Sequence, residues 1–148
     1  MIITIPGIPT RQRRARSKDG QRPYDPQKKE KKDFILQARQ QMKAQGVEMF
    51  EKGTALYMYF YFSLPRPKSH YRTGKNSHLL KDSAPKYPCT SSTADLDNFV
   101  KFVKDCLNGL AYHDDCQVVT YDGVHKRYCM TGDEPYTMIA IRDMSKYE

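Results

Sequence analysis

The residues best suited to chemistry stand in two short acidic runs, Asp95-Leu96-Asp97 and Asp114-Asp115, with Lys101 between them. In an extended segment Asp95 and Asp97 project to the same side. Lys101 follows Asp97 by four residues, so on a helix it stands one turn further along the same face. A helix and the strand after it usually lie side by side, so the return through Asp114-Asp115 can bring Asp115 to Asp95 and Asp97. Three carboxylates gathered at one point repel, and one must take up a proton or a counter-ion. A hard divalent cation resolves that conflict. Mg2+ takes oxygen ligands, keeps several waters, and is commonly held by a few carboxylates plus a substrate phosphate. The expected metal ligands are therefore Asp95, Asp97 and Asp115. With Lys101 they form the expected catalytic set, and Asp114 is their neighbour. A metal so held polarises a phosphodiester and supplies hydroxide, while Lys101 balances the charge that develops on the phosphate.

The same residues allow a purely structural reading. Asp97 could be an N-cap, Asp95 an anion near the first turn, and Asp114-Asp115 a loop. Three details oppose it if the helix starts at Asp97. Val100 stands where a capping box wants Glu or Gln, and Lys101 stands where Leu96 would want an apolar staple partner. A lysine in the first turn also opposes the helix dipole. His113 has no serine or cysteine partner and reads as a loop residue.

The elements that must position these side chains can be sketched from periodicity. Ile2 to Ile5 predicts a short strand ended by Pro6-Gly7, and Asp19-Gly20 marks a loop tip. Asp25-Pro26 reads as N-cap and first helical residue of a helix reaching about Ala44, with Phe34, Ala38 and Met42 as its core stripe and Gly46 as its stop. Residues 54–64 alternate as a strand: Leu56, Met58, Phe60, Phe62 and Leu64 face the core, and Tyr57, Tyr59, Tyr61 and Ser63 face away. That tyrosine row suits partial cover by a helix or another subunit. A helix over 98–108 follows, then strands over 116–128 and 135–142. The expected fold is a single α/β (α+β) two-layer domain spanning 1–148, with a small mixed sheet packed against two main helices. Residues 65–93 form a long Gly/Pro/Ser-rich basic loop, and loops of that length in small domains tend to be functional.

The chain has 148 residues and a formal net charge of +8. Its basicity is segregated. Residues 10–32 hold ten Lys and Arg against three acids, and residues 65–92 hold six against one. Clustering of this kind is the footprint of a polyanion partner. The expected DNA contacts are Arg13, Arg14 and Arg16 in the first segment and Lys68, Arg72 and Lys75 in the second. Neither segment has the apolar face of a membrane-surface helix, and no run approaches the ~18 apolar residues of a membrane span. Cys89, Cys106, Cys116 and Cys129 form no CxxC pair, and the N-terminus lacks the pattern of a secretory signal. These features predict an intracellular protein with reduced thiols.

Asp95-Leu96-Asp97-Asn98-x-x-Lys101, then Asp105-x-Leu107, then Asp114-Asp115-x-Gln117-Val118, resembles the RusA family of Holliday junction resolvases. Gly7-x-Pro9, the run Arg13-Arg14-Ala15-Arg16 and the approach Tyr24-Asp25 fit as well. The resemblance implies a small α/β homodimer that binds four-way DNA junctions and nicks two opposed strands, using Mg2+ or Mn2+. It implies Asp95, Asp97 and Asp115 as metal-binding acids, Lys101 as the essential lysine, and Arg14 and Arg16 in the DNA-contacting region. Residues 65–93 are longer than the family's usual approach to Asp-x-Asp. Their cations could extend junction contacts or serve another branched substrate. The competing reading is a non-catalytic basic protein that binds branched DNA or RNA, its acids acting only as caps and loop residues.

Overall fold

In the computed structural model, which describes residues 1–13 and 17–146, the chain runs β1 (Ile2–Pro6), α1 (Lys28–Gln45), β2 (Leu56–Leu64), α2 (Leu96–Leu107), β3 (Val118–Tyr128) and β4 (Tyr136–Asp143). The sheet order is β1-β4-β2-β3, with β2 and β3 parallel and the other neighbours antiparallel. Alternation in β2 sends Leu56, Met58, Phe60, Phe62 and Leu64 inward. Ile139 and Ile141 lie opposite Phe60 and Met58, and Ile3 lies opposite Ile139, so one sheet face becomes continuous core. Both helices cover that face. Phe99 of α2 stacks on Phe62 at 5.1 Å, and Phe34 of α1 meets Phe102 edge-on at 5.9 Å. The expected mixed sheet with two helices is the fold observed.

The other sheet face has no helix. Tyr61 stacks on Tyr136 at 5.9 Å, and Tyr59 lies 5.5 Å from His125. Gly123 sits beneath that pair, where a Cβ would come within 2.9 Å of His125 and 3.0 Å of Tyr59. The two sheet edges differ. Gln41 and Gln45 of α1 reach over β1, each accepting from one backbone N–H and donating to one carbonyl of Ile2 or Thr4. They take the part of a missing strand and blunt that edge. β3 is the other edge strand; the Tyr128 N–H at its end donates to the Lys86 carbonyl of the long loop at 3.1 Å, while Val119 and Tyr121 near its start are exposed.

Two helix starts differ from the sequence reading. α1 begins at Lys28, two residues late, because the Asp25 carboxylate accepts from the Gln27 N–H at 2.9 Å and from Lys31 at 2.8 Å, forming a turn ahead of the helix. α2 begins two residues early, with Asp95 at the N-cap and Asp97 inside the first turn. The register argument from Val100 and Lys101 therefore falls. In the actual register Ala94 and Phe99 occupy the staple positions, and both pack on the core.

Residues 65–93 are a built loop. Tyr71 pairs with Leu80, and short 3-10 turns occupy Lys68–His70 and Gly74–Asn76. Arg66 anchors its base. Its Nε donates to the Cys129 carbonyl at 2.7 Å, its Nη1 donates to the Pro85 carbonyl at 2.7 Å, and its guanidinium lies 5.3 Å from the Tyr128 ring centre.

Candidate active site

The N-terminus of α2 is the best-organised polar region. Asp95 is its N-cap residue, yet its carboxylate makes no capping hydrogen bond, although Asp at this position normally accepts from the first-turn N–H groups. Asp97 is two residues on, and both side chains are exposed. Neither carboxylate has a hydrogen bond or ion pair among the described residues. Lys101 lies exposed one turn beyond Asp97, and it too is free of such partners among those residues.

Three tethers bring cations to this helix end. The Lys126 ammonium, from the far end of β3, donates to the Ala94 carbonyl at 3.0 Å and approaches the Thr93 hydroxyl at 3.4 Å. The Gln12 N–H donates to the Asn98 carbonyl at 2.9 Å, tying the first basic segment to the first turn of α2. Gln27, 1 % exposed, clamps the same segment: its Oε1 accepts from the Arg13 N–H at 2.8 Å and its Nε2 donates to the Arg11 carbonyl at 2.6 Å. Arg11 and Arg13 are thus held at the backbone while their guanidiniums stay exposed. Arg14 and Arg16 lie outside the described residues. Lys68, Arg72 and Lys75 are exposed on the long loop, where Arg72 pairs with Asp82 at 3.3 Å and donates to the Leu80 carbonyl.

Asp114 and Asp115 stand elsewhere. They open the 3-10 turn Asp115–Gln117 that leads into β3, and Asp114 caps it through the Cys116 N–H at 3.0 Å. Gln117 is buried and accepts from the His113 N–H while donating to the Glu51 and Thr54 carbonyls. The charges around Asp115 are Lys104, Asp114 and Asp105. Burial and a hydrogen bond with Asp114 push its carboxyl above the usual carboxylate range, against the pull of Lys104. Asp114 is held below that range, first by the Cys116 N–H and then by Asp115. Lys104 and Asp105 belong to the C-terminal half of α2, whereas Asp95 caps its N-terminus. The twelve residues of α2 rise roughly 18 Å.

The expected meeting of Asp95, Asp97 and Asp115 is therefore not formed within one chain. Among the described residues no three Asp, Glu, His or Cys side chains gather closely enough to hold a metal ion. The reason is topological. A strand that leaves a helix by a short loop runs back antiparallel to it, so Asp115 starts beside the helix C-terminus and only Lys126, near the end of β3, reaches the N-terminus.

Sequence reasoning missed Gln27, Lys126 and Arg11. A glutamine beside a helix start carries no signal of burial, and a lysine in an alternating strand reads as surface. Arg11 was visible as charge, but not as a residue whose backbone is clamped by Gln27 next to the tie between Gln12 and Asn98.

A basic α+β protein with two exposed aspartates at a helix N-terminus, Lys126 tied to the adjoining Ala94 carbonyl and a basic segment tied to Asn98, is the class that fold and site define. Residues 5–142 match the family described as Endodeoxyribonuclease RusA, and the chain belongs to that family. It is also 43 % identical over 82 residues to the protein of Bacillus subtilis (strain 168) named "Uncharacterized protein YqaN". That match takes in 55 % of this chain and 52 % of the relative, so the chain spans about half the length of the curated relative it matches.

Proposed function

We propose that this protein is an intracellular, metal-dependent endonuclease that resolves four-way DNA junctions by paired nicks, in recombination or repair. Family membership supports the nuclease chemistry. The observation that carries the reading to this chain is the α2 N-terminus, where the carboxylates of Asp95 and Asp97 carry no partner among the described residues, Lys126 is tied to the Ala94 carbonyl and the basic segment is tied to Asn98. Two unspent carboxylates plus substrate phosphate are a donor set that suits Mg2+ or Mn2+. Held by Asp95 and Asp97, such an ion would supply Lewis-acid polarisation of the phosphodiester and a hydroxide at neutral pH.

The remaining work falls to the protein's own side chains. Lys126 fixes the Ala94 carbonyl and with it the backbone that presents Asp95. Arg11 and Arg13 hold phosphates against this end of the helix. Lys101 balances charge on the scissile phosphate. Lys68, Arg72 and Lys75 extend phosphate contacts along a second DNA arm, and Arg14 and Arg16 extend the first segment. Asp115 enters this scheme from a second copy. A twofold homodimer supplies two symmetric sites for two nicks, and it can set Asp115 of one protomer near Asp95 and Asp97 of the other.

The test is Asp97→Asn with a labelled four-way junction and Mg2+. Cleavage should fall by about 100-fold or more, since losing even an outer-shell partner of a metal costs about 10–100-fold, while junction affinity in a gel shift holds. Cleavage equal to the parent protein's would remove the site assignment and leave a DNA-binding protein whose acids are structural.

A further inference from the structure

A cleft of about 670 Å3 opens beside the N-terminus of α2, walled on one side by the two ends of the long loop, residues 65–67 and 92–93. Its floor is apolar, formed by Leu64, Phe99 and Tyr128, with Ile8 at the lip. Arg11 and Arg13 stand on its rim against one acid, Glu30. Ala94 is part of its wall, so the cleft adjoins Asp95 directly. The floor is rigid: Phe99 stacks on Phe62, and Tyr128 is gripped by Arg66 and met edge-on by His70 at 4.8 Å. The rim arginines are set by Gln27 at the backbone and have no hydrogen-bond or ion partner for their guanidiniums among the described residues.

An apolar floor below a cationic rim matches the two halves of a nucleotide. A base stacks on apolar and aromatic side chains without sequence preference, and a phosphate takes paired bonds from guanidinium. The volume lies within the range of small-ligand pockets, about 300–1,000 Å3, and has room for one base with its sugar. We propose that this cleft receives one unstacked nucleotide of the bound DNA, its base on the floor of Leu64, Phe99 and Tyr128 and its phosphate against Arg11 and Arg13. Seating that nucleotide draws the adjoining phosphodiester to Asp95. Unstacking costs least where a base has already lost a neighbour, so the cleft selects the exchange point of a branched substrate over intact duplex. The inference rests on the nuclease reading for DNA as its ligand.

The experiment uses junctions carrying 5-iododeoxyuridine either at the exchange point or mid-arm, bound to the whole protein without divalent metal and irradiated. Cross-linked peptides are mapped by mass spectrometry. The exchange-point probe should attach to peptides holding residues 8–13, 64–67, Phe99 or Tyr128, and the mid-arm probe should not. Ile8 is 66 % exposed, so Ile8→Glu should leave the fold intact. Its carboxylate at the lip repels the incoming phosphate and competes for Arg11 and Arg13, and should lower that yield about fivefold or more. Ser92→Trp, which fills the cleft from another exposed wall position, should do the same. Cross-links elsewhere, equal yields from the two probes, or yields unmoved in both variants overturn the cleft assignment. A protein that cross-links as described but never cleaves junctions with Mg2+ retains the cleft and loses the nuclease reading. One that cleaves without cross-linking in the cleft does the reverse.

Discussion

Asp115 and Asp114 share a hydrogen bond and split in opposite directions. Burial raises the Asp115 carboxyl, and the Cys116 N–H lowers that of Asp114. A raised carboxyl binds its proton more tightly folded than unfolded, so its contribution to stability shrinks as pH climbs from the unfolded carboxylate value through the raised one. Asp114 works the other way, gaining stability over the range below the usual carboxylate value. Asp115→Asn removes the unfavourable charge and keeps the shape. The metal-free variant should melt higher than its parent at pH 7, by roughly 1–3 °C, with the gap closing as pH drops below 5. Melting curves across pH check this, and a gap that widens toward low pH would contradict it. Sequence inspection identified both acids. It could not tell which one carries the proton, because burial and a single backbone N–H decide that.

At the scale of elements, the basic segment and α2 are joined by backbone groups, not by the charges that make the segment conspicuous. Gln27 satisfies the Arg11 carbonyl and the Arg13 N–H from a buried position. Gln27→Leu keeps the volume but strands both groups, at about 1–3 kcal/mol for buried polar atoms left unpaired. Urea unfolding should report that loss. Junction affinity should fall as well, because Arg11 and Arg13 lose their fixed place beside Asn98. Unchanged affinity would show that the tether does not position the arginines. The core stripe of α1, the alternation of β2 and the order of elements were all legible in advance, since each follows from period and side-chain type. The helix starts were two residues off in opposite directions. Asp25 and Asp95 are equally good N-cap residues by type, but Asp25 is drawn to Lys31 and closes a turn ahead of α1, while Asp95 holds the N-cap of α2 with its carboxylate making no capping hydrogen bond.

At the scale of the whole molecule, one copy holds Asp95 and Asp97 at the N-terminal end of α2 and Asp115 beyond its C-terminal end. The start of the β3 edge, with Val119 and Tyr121 exposed, and the helix-free face with Tyr61 and Tyr136 are the surfaces on which a second copy can seat. A mixing experiment tests the shared site. Asp97→Asn and Asp115→Asn proteins should each be inactive, but a mixture that exchanges subunits should recover single nicks, because the heterodimer then holds one intact site. If all three acids acted within one chain, every site in the mixture would be damaged and no nicks would return.

Residue type and spacing were enough to establish a basic single domain with a small mixed sheet, two helices and an acidic motif resembling RusA resolvases. Those properties are local: periodicity, turn chemistry and short motifs are written into contiguous residues. Which acids lie at which end of α2, and which basic segment is tied to its first turn, was decided by tertiary structure alone. The short turn after α2 sends β3 back along the helix, so it carries Asp115 away from Asp95 and brings Lys126 toward it. That direction depends on packing between elements, and no stretch of sequence encodes it by itself.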